Sequence, residues 1–176
     1  LFERALGINE RAFGREHPEV AASLNNLAGV HDETGAIAES RPLYERTLAI
    51  WEESLGPDHP DVAVVLSNLA SVLVQEGAQA QAQALIERAL SIRERALGPD
   101  HPDVALLLGE LANVRRALGA HDEARALYER GLRISERPVV GGTGRRDSSA
   151  ASRHGSTRSS PDAAGTARWP SMQQLL

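Results

Sequence analysis

Histidines beside carboxylates are the residues of this chain that could bind a metal ion. The chain has six histidines and no cysteine, so a metal site would need imidazole and carboxylate ligands. Three of them, His17, His59 and His101, each precede a proline and recur every 42 residues. In stacked repeats these three would lie about one repeat apart, too far for one ion with bonds of about 2 Å. We therefore expect no metal site and no cofactor.

The other chemically suggestive clusters also lack the context that catalysis needs. His31 and His121 open two His-Asp-Glu triplets without the i, i+4 histidine spacing of a zinc-binding helix. Glu52 and Glu53 are adjacent carboxylates among other surface charges, which favours a solvated face over a catalytic pair. The glycine-rich run at 141–144 lacks the lysine of a phosphate-binding loop, and no serine has a nucleophile-elbow context. The sequence predicts no enzyme.

The spacing of the His-Pro pairs defines a repeat that covers most of the chain. Units Leu43–Ala84 and Leu85–Ala126 align without a gap and agree at 23 of 42 positions, which indicates duplication of one structural unit. Within a unit, Leu66, Leu69 and Leu73 are spaced by three or four residues, as on one face of a helix. A second stretch with helical spacing follows after a glycine. Each unit is therefore expected to contain two helices.

Prolines and glycines mark the predicted helix ends. Pro18, Pro60 and Pro102 stand where a helix begins, because the first turn needs no N–H donor. The glycines expected just past helix ends are Gly14, Gly35, Gly56, Gly77, Gly98 and Gly119. Pro42 falls inside a predicted helix, where it removes a hydrogen bond, so we expect a bend or a restart there.

The charge distribution argues against several classes of partner. Residues 1–138 carry a net charge of −8, and residues 139–176 carry +3. An acidic array is a poor match for a phosphate backbone, so no nucleic-acid partner is expected. No apolar run reaches the about 18 residues that a membrane helix needs, and the N-terminus has no signal-peptide pattern. We expect a cytoplasmic protein without a membrane partner, and the oligomeric state stays open.

The second unit carries a known signature at Leu66, Leu69, Ala70, Gly77, Ala82, Ile86, Ala89, Leu90 and Ile92. These positions resemble the tetratricopeptide repeat. The 42-residue period, with L-N-N-L-A at Leu24–Ala28, resembles the kinesin light chain subfamily. The resemblance covers Leu1–Pro138 and implies an all-α fold, an α-solenoid of antiparallel helix hairpins in a right-handed superhelix.

The expected organisation follows from the repeat and this resemblance. About seven helices are predicted, in a partial unit at 1–14 and hairpins at about 17–56, 59–98 and 101–137 of an array over 1–138. Residues 139–176 are rich in Gly, Ser and Arg and lack apolar periodicity, so a disordered C-terminal tail is expected.

The resemblance also implies that the first helix of each pair lines a concave groove that binds an extended peptide. The candidate contact residues are Asn25, Asn26, Asn68, Asn113 and Arg116. An asparagine amide both donates and accepts hydrogen bonds, so it can hold a peptide backbone. An equally weighted alternative is that the asparagines bond the neighbouring hairpin. The third unit departs from the pattern, because Gly109 and Glu110 replace the asparagine pair.

The leading function is therefore a scaffold or interaction module that binds a protein or an extended peptide, without catalysis. Two alternatives stay open. The chain could be the sensor end of a larger signalling ATPase, with a nucleotide-binding domain before Leu1, or a truncated fragment without independent function. The sequence opens in the middle of a unit, so we expect a piece of a longer array.

Overall fold

The structure is a computed structural model that describes residues 2–136. These residues form seven α-helices and contain no strand: α1 (Phe2–Phe13), α2 (Pro18–Glu33), α3 (Ile37–Leu55), α4 (Pro60–Gln75), α5 (Gln79–Leu97), α6 (Pro102–Ala117) and α7 (His121–Ser135). The all-α solenoid and the number of helices are confirmed. The predicted tail and the boundary at residue 138 lie outside the described residues.

The helices after α1 pair into three antiparallel hairpins, α2–α3, α4–α5 and α6–α7. In the first hairpin the hydroxyl of Thr47, just past the middle of α3, donates to the carbonyl of Ala21, early in α2, at 3.4 Å. The turn within the second hairpin passes through Gly77 with φ +80°, and the turn before that hairpin passes through Gly56 with φ +92°. A side chain is strained in this left-handed conformation, so the predicted glycine stops are confirmed.

Each hairpin begins with a histidine that caps its first helix. The Nδ1 atom of His59 accepts the backbone N–H of Asp61 at 3.2 Å, and Pro60 occupies the first helical position. His17 and His101 make the same contact one repeat away in either direction. The cap satisfies one of the N–H groups that a helix start leaves without a partner. The periodic histidines are thus helix caps in the turns between hairpins.

The core follows the predicted apolar stripe. Val62, Leu66, Leu69 and Leu73 on α4 are all buried. Buried alanines such as Ala70 lie on the same helix and are small enough to let the paired helices approach closely. The buried residues continue from one hairpin to the next, as expected when each repeat covers the apolar face of its neighbour.

Pro42 does not interrupt α3, so the predicted helix restart is wrong. The helix continues from Ile37 to Leu55 through this residue. Proline leaves the carbonyl of Ala38 without its helical donor, but Ala38 and Pro42 are both exposed, so water can solvate that carbonyl. On the opposite side Tyr44 and Thr47 are buried and hold α3 in place. Packing offsets the lost hydrogen bond, and the bend itself stays a prediction.

Candidate protein-interaction surface

The first helices of the three hairpins, α2, α4 and α6, lie side by side and form a surface that we name the A-helix face. Three side-chain hydrogen bonds cross between them, each joining residues 43 positions apart. The bonds run from Asn68 to Asn25 at 3.3 Å, from Ser67 to Glu110 at 2.7 Å and from Gln75 to Asp32 at 2.7 Å. Polar side chains therefore connect successive hairpins along this face.

Asn25 and Asn68 are half-buried and bond each other across the gap between α2 and α4. This contact agrees with the alternative in which the asparagines tie neighbouring hairpins together. Asn26 differs from them, since it is exposed and makes no side-chain hydrogen bond to a described residue. Of the two amides in the L-N-N-L-A motif, that of Asn25 thus forms a contact between hairpins, and that of Asn26 lies on the open surface.

The two predicted contact residues on α6 also differ from each other. Asn113 is exposed but accepts a 2.6 Å hydrogen bond from the hydroxyl of Tyr128 on α7, within its own hairpin. Arg116 is exposed and forms no ion pair with a described residue. Of the five predicted residues, Asn26 and Arg116 are the ones whose polar groups are free of other described side chains.

Glu110 gives the A-helix face an unusual ionisable group. Its carboxylate is half-buried at the position that Asn68 occupies one repeat earlier. Burial raises the pKa of Glu110 to about 7, and the hydrogen bond from Ser67 opposes that shift only in part. Near neutral pH this side chain therefore exchanges between a neutral acid and a carboxylate.

The second helices, together with α1, carry a periodic ion-pair series that the sequence reasoning missed. Arg46 pairs with Glu10 at 2.8 Å, and the same pairing recurs between Arg88 and Glu52 and, at 2.6 Å, between Arg130 and Glu94. The same arginines also donate to the backbone carbonyls of Arg15, Pro57 and Pro99 in the turns between hairpins. Both partners recur every 42 residues, so the period itself could have revealed the series.

Across residues 2–136 no group of three or more His, Asp or Glu side chains could hold a metal ion. In the same range no helix has the length and apolarity to cross a membrane.

The side-by-side first helices and the repeated hairpins define the class as a helical-repeat solenoid. The model of the tetratricopeptide repeat family matches residues 33–95 and 80–137, which together are more than half of the chain. The chain belongs to this family, and its repeats resemble those of the kinesin light chain-like kind. Such repeats generally bind proteins or peptides, which places the chain among protein-interaction scaffolds in general.

The solved structures that resemble the chain include the following three. The structure of BtubC (BKLC) from P. vanneervenii has a TM-score of 0.70 at 24% identity, over 92% of this chain and 62% of that one. A Podosopora anserina protein assigned as a kinesin light chain, with nearly identical TPR-like repeats, has a TM-score of 0.64 at 28% identity, over 78% of this chain and 66% of that one.

A variant of the Podosopora anserina protein gives a TM-score of 0.65 at 28% identity, over 76% of this chain and 63% of that one. The chain thus spans slightly less than two thirds of the length of these structures, from 62% to 66%. No curated protein sequence matches the chain.

Proposed function

We propose that the chain is a non-catalytic scaffold that binds an extended peptide segment of a partner protein on the A-helix face. The observation that carries the proposal is the alignment of α2, α4 and α6, whose polar side chains include Asn26 and Arg116 without other described partners. An exposed amide can hold a peptide backbone and an exposed guanidinium can hold a carboxylate.

The size of this surface suits a short extended segment. Neighbouring helices pack with their axes about 9 Å apart, so three helices span roughly 20 Å between the outer axes. An extended chain advances by about 3.3 Å per residue, so roughly six residues would cross the face. Backbone contacts over that length favour a linear peptide over a small molecule, and the acidic array disfavours nucleic acid. A cytoplasmic location stays a prediction.

The proposal is tested by selecting short random peptides on the full chain and measuring the affinity of the selected peptides for variants. We choose Asn26→Ala with Arg116→Gln, because Asn68 and Asn113 bond other side chains and their loss would also disturb the fold. Arg125→Gln on α7 removes an exposed charge from the second-helix side and serves as the matched control.

The double variant is expected to weaken binding at least about tenfold, while Arg125→Gln leaves it unchanged. Binding that survives the double variant and disappears in Arg125→Gln would place the site on the other side of the solenoid. A selection that enriches no peptide at all would overturn the proposal.

A further inference from the structure

Glu110 is a half-buried carboxylate on the A-helix face with no described cation beside it. Ser67 donates to its Oε2 atom at 2.7 Å, whereas Oε1 receives no hydrogen bond from a described residue. A carboxylate removed from water is costly unless donors or a cation replace its hydration. The Oε1 atom of Glu110 is therefore available to accept a hydrogen bond from a donor outside the described residues.

No described cation pairs with Glu110, and Arg116, the unpaired cation of α6, stands six residues further along that helix. On α4 the charged residue is Asp61 in the first turn, and Glu76 at the C-cap pairs with an arginine of α3. On α6 itself, Asp103 pairs with an arginine of α5 at 3.6 Å. Arg115 is bound by one carboxylate of α5 and one of α7, each at 2.8 Å. The raised pKa of Glu110 is accordingly caused by burial, with no contribution from another charge.

Open space lies at Gly109, the residue before Glu110 on α6. Gly109 stands at the register position of Asn25 and Ser67, which reach from the earlier hairpins to the following one. A Cβ atom built at Gly109 would meet nothing within 4 Å. The helix position before Glu110 thus lacks the side chain that the two earlier hairpins carry there.

We propose that Glu110 binds a basic side chain, arginine or lysine, of the peptide that occupies the A-helix face. This inference rests on the proposed function and adds the chemical class of the ligand. A guanidinium or ammonium group would donate hydrogen bonds to the carboxylate and compensate its charge in a partly buried setting. Since only the ionised carboxylate attracts a cation, binding below neutral pH is coupled to release of the Glu110 proton.

The test repeats the selection of short random peptides on the full chain and on two variants. Glu110→Gln keeps an acceptor for Ser67 and removes the charge, so we expect the fold to be retained. Glu33→Gln removes the same charge from an exposed position of α2 and is the matched control. The wild-type chain and Glu33→Gln are expected to enrich peptides with Arg or Lys at a fixed place, and Glu110→Gln is expected to lose that enrichment.

The affinities of a selected peptide and of its Arg→Gln version then measure how much the contact with Glu110 contributes to binding. The substitution is expected to weaken binding to the wild-type chain about tenfold or more and to leave binding to Glu110→Gln unchanged. The preference of the wild-type chain for the arginine peptide should grow between about pH 6 and about pH 8, as Glu110 ionises.

The outcomes separate the two proposals. Peptides that bind without any preference for a basic residue, or with the same preference in Glu110→Gln, would refute the role of Glu110 and leave the scaffold function intact. If no variant and no wild-type chain selects a peptide, both proposals fail.

Discussion

The guanidinium of Arg88 on α5 pairs with the carboxylate of Glu52 on α3 and also donates to the backbone carbonyl of Pro57 at 3.0 Å. One side chain thus joins the second helices of two successive hairpins to the turn between them. The equivalent contacts of Arg46 and Arg130 repeat this junction once per unit. A contact repeated at the structural period constrains how each hairpin is set against the next.

Replacing Arg88 by Met should lower the free energy of unfolding by about 1 kcal/mol. The ion pair is partly exposed, so its share is small and screened by salt, but the carbonyl of Pro57 also loses its donor. Urea unfolding at low and high salt measures the effect. Arg125→Met is the control, because the described partner of Arg125 is Glu129 within α7 itself. Equal losses of unfolding free energy in the two variants would show that the ion pair between hairpins does not stabilise the fold.

The histidine caps should contribute to stability through an acceptor atom. His59→Ala removes the Nδ1 acceptor of the Asp61 N–H and is expected to cost about 1 kcal/mol, whereas His59→Asn offers another acceptor and should restore most of it. Chemical denaturation compares the variants. His121→Ala is the control, since His121 is an exposed first-turn residue of α7 rather than a cap. A large loss for His121→Ala, or no loss for His59→Ala, would contradict the capping role.

The helices could be predicted because their signals are local. The stripe through Leu66 and Leu69 fixes the buried face, and Pro60 and Gly77 fix the two ends of α4, whatever the rest of the chain does. At Pro42 the helix continues without the restart that the local rule allowed, because burial of Tyr44 and Thr47 on the other side of α3 offsets one lost hydrogen bond. Local propensity is a weak guide wherever packing opposes it.

The surface could be predicted only in part. Sequence spacing places Asn25, Asn68 and Asn113 on the first helices, but an amide bonds a neighbouring helix or a peptide equally well. Which group each amide bonds depends on the distances between helices. Examples are the 3.3 Å hydrogen bond from Asn68 to Asn25 and the 2.6 Å hydrogen bond from Tyr128 to Asn113. The partial burial of Glu110 is likewise a property of the stacked hairpins and not of its own helix.

Shortening a buried leucine in the middle hairpin should lower the free energy of unfolding far more than shortening an exposed leucine. Leu66 is fully buried, whereas Leu106 on α6 is 49% exposed. Leu66→Ala is expected to cost about 3 kcal/mol, and Leu106→Ala below about 1 kcal/mol. Because each hairpin packs only on its neighbours, the Leu66 variant should also broaden the thermal transition as the ends uncouple. Calorimetry of both variants measures this, and equal effects would contradict the assigned core.

Glu110 should make the stability of the array depend on pH in a direction opposite to that of an ordinary ion-paired carboxylate. Its pKa rises from 4.5 to about 7 on folding, so the folded state holds the proton more tightly than the unfolded state. The folding stability that comes from this tighter proton binding is fully present below about pH 4.5, and it is lost as the pH rises through about 7. Glu110→Gln cannot ionise, so at about pH 8 it should be more stable than the wild-type chain by on the order of 2 kcal/mol.

The measurement is the difference in the free energy of unfolding between Glu110→Gln and the wild-type chain from about pH 5 to about pH 8. Taking the difference cancels the titration of the other carboxylates, which both chains share. Glu33→Gln, with the same change of charge on an exposed part of α2, supplies the baseline. A difference that stays constant with pH, or that Glu33→Gln reproduces, would mean that stacking of α6 on α4 does not desolvate Glu110.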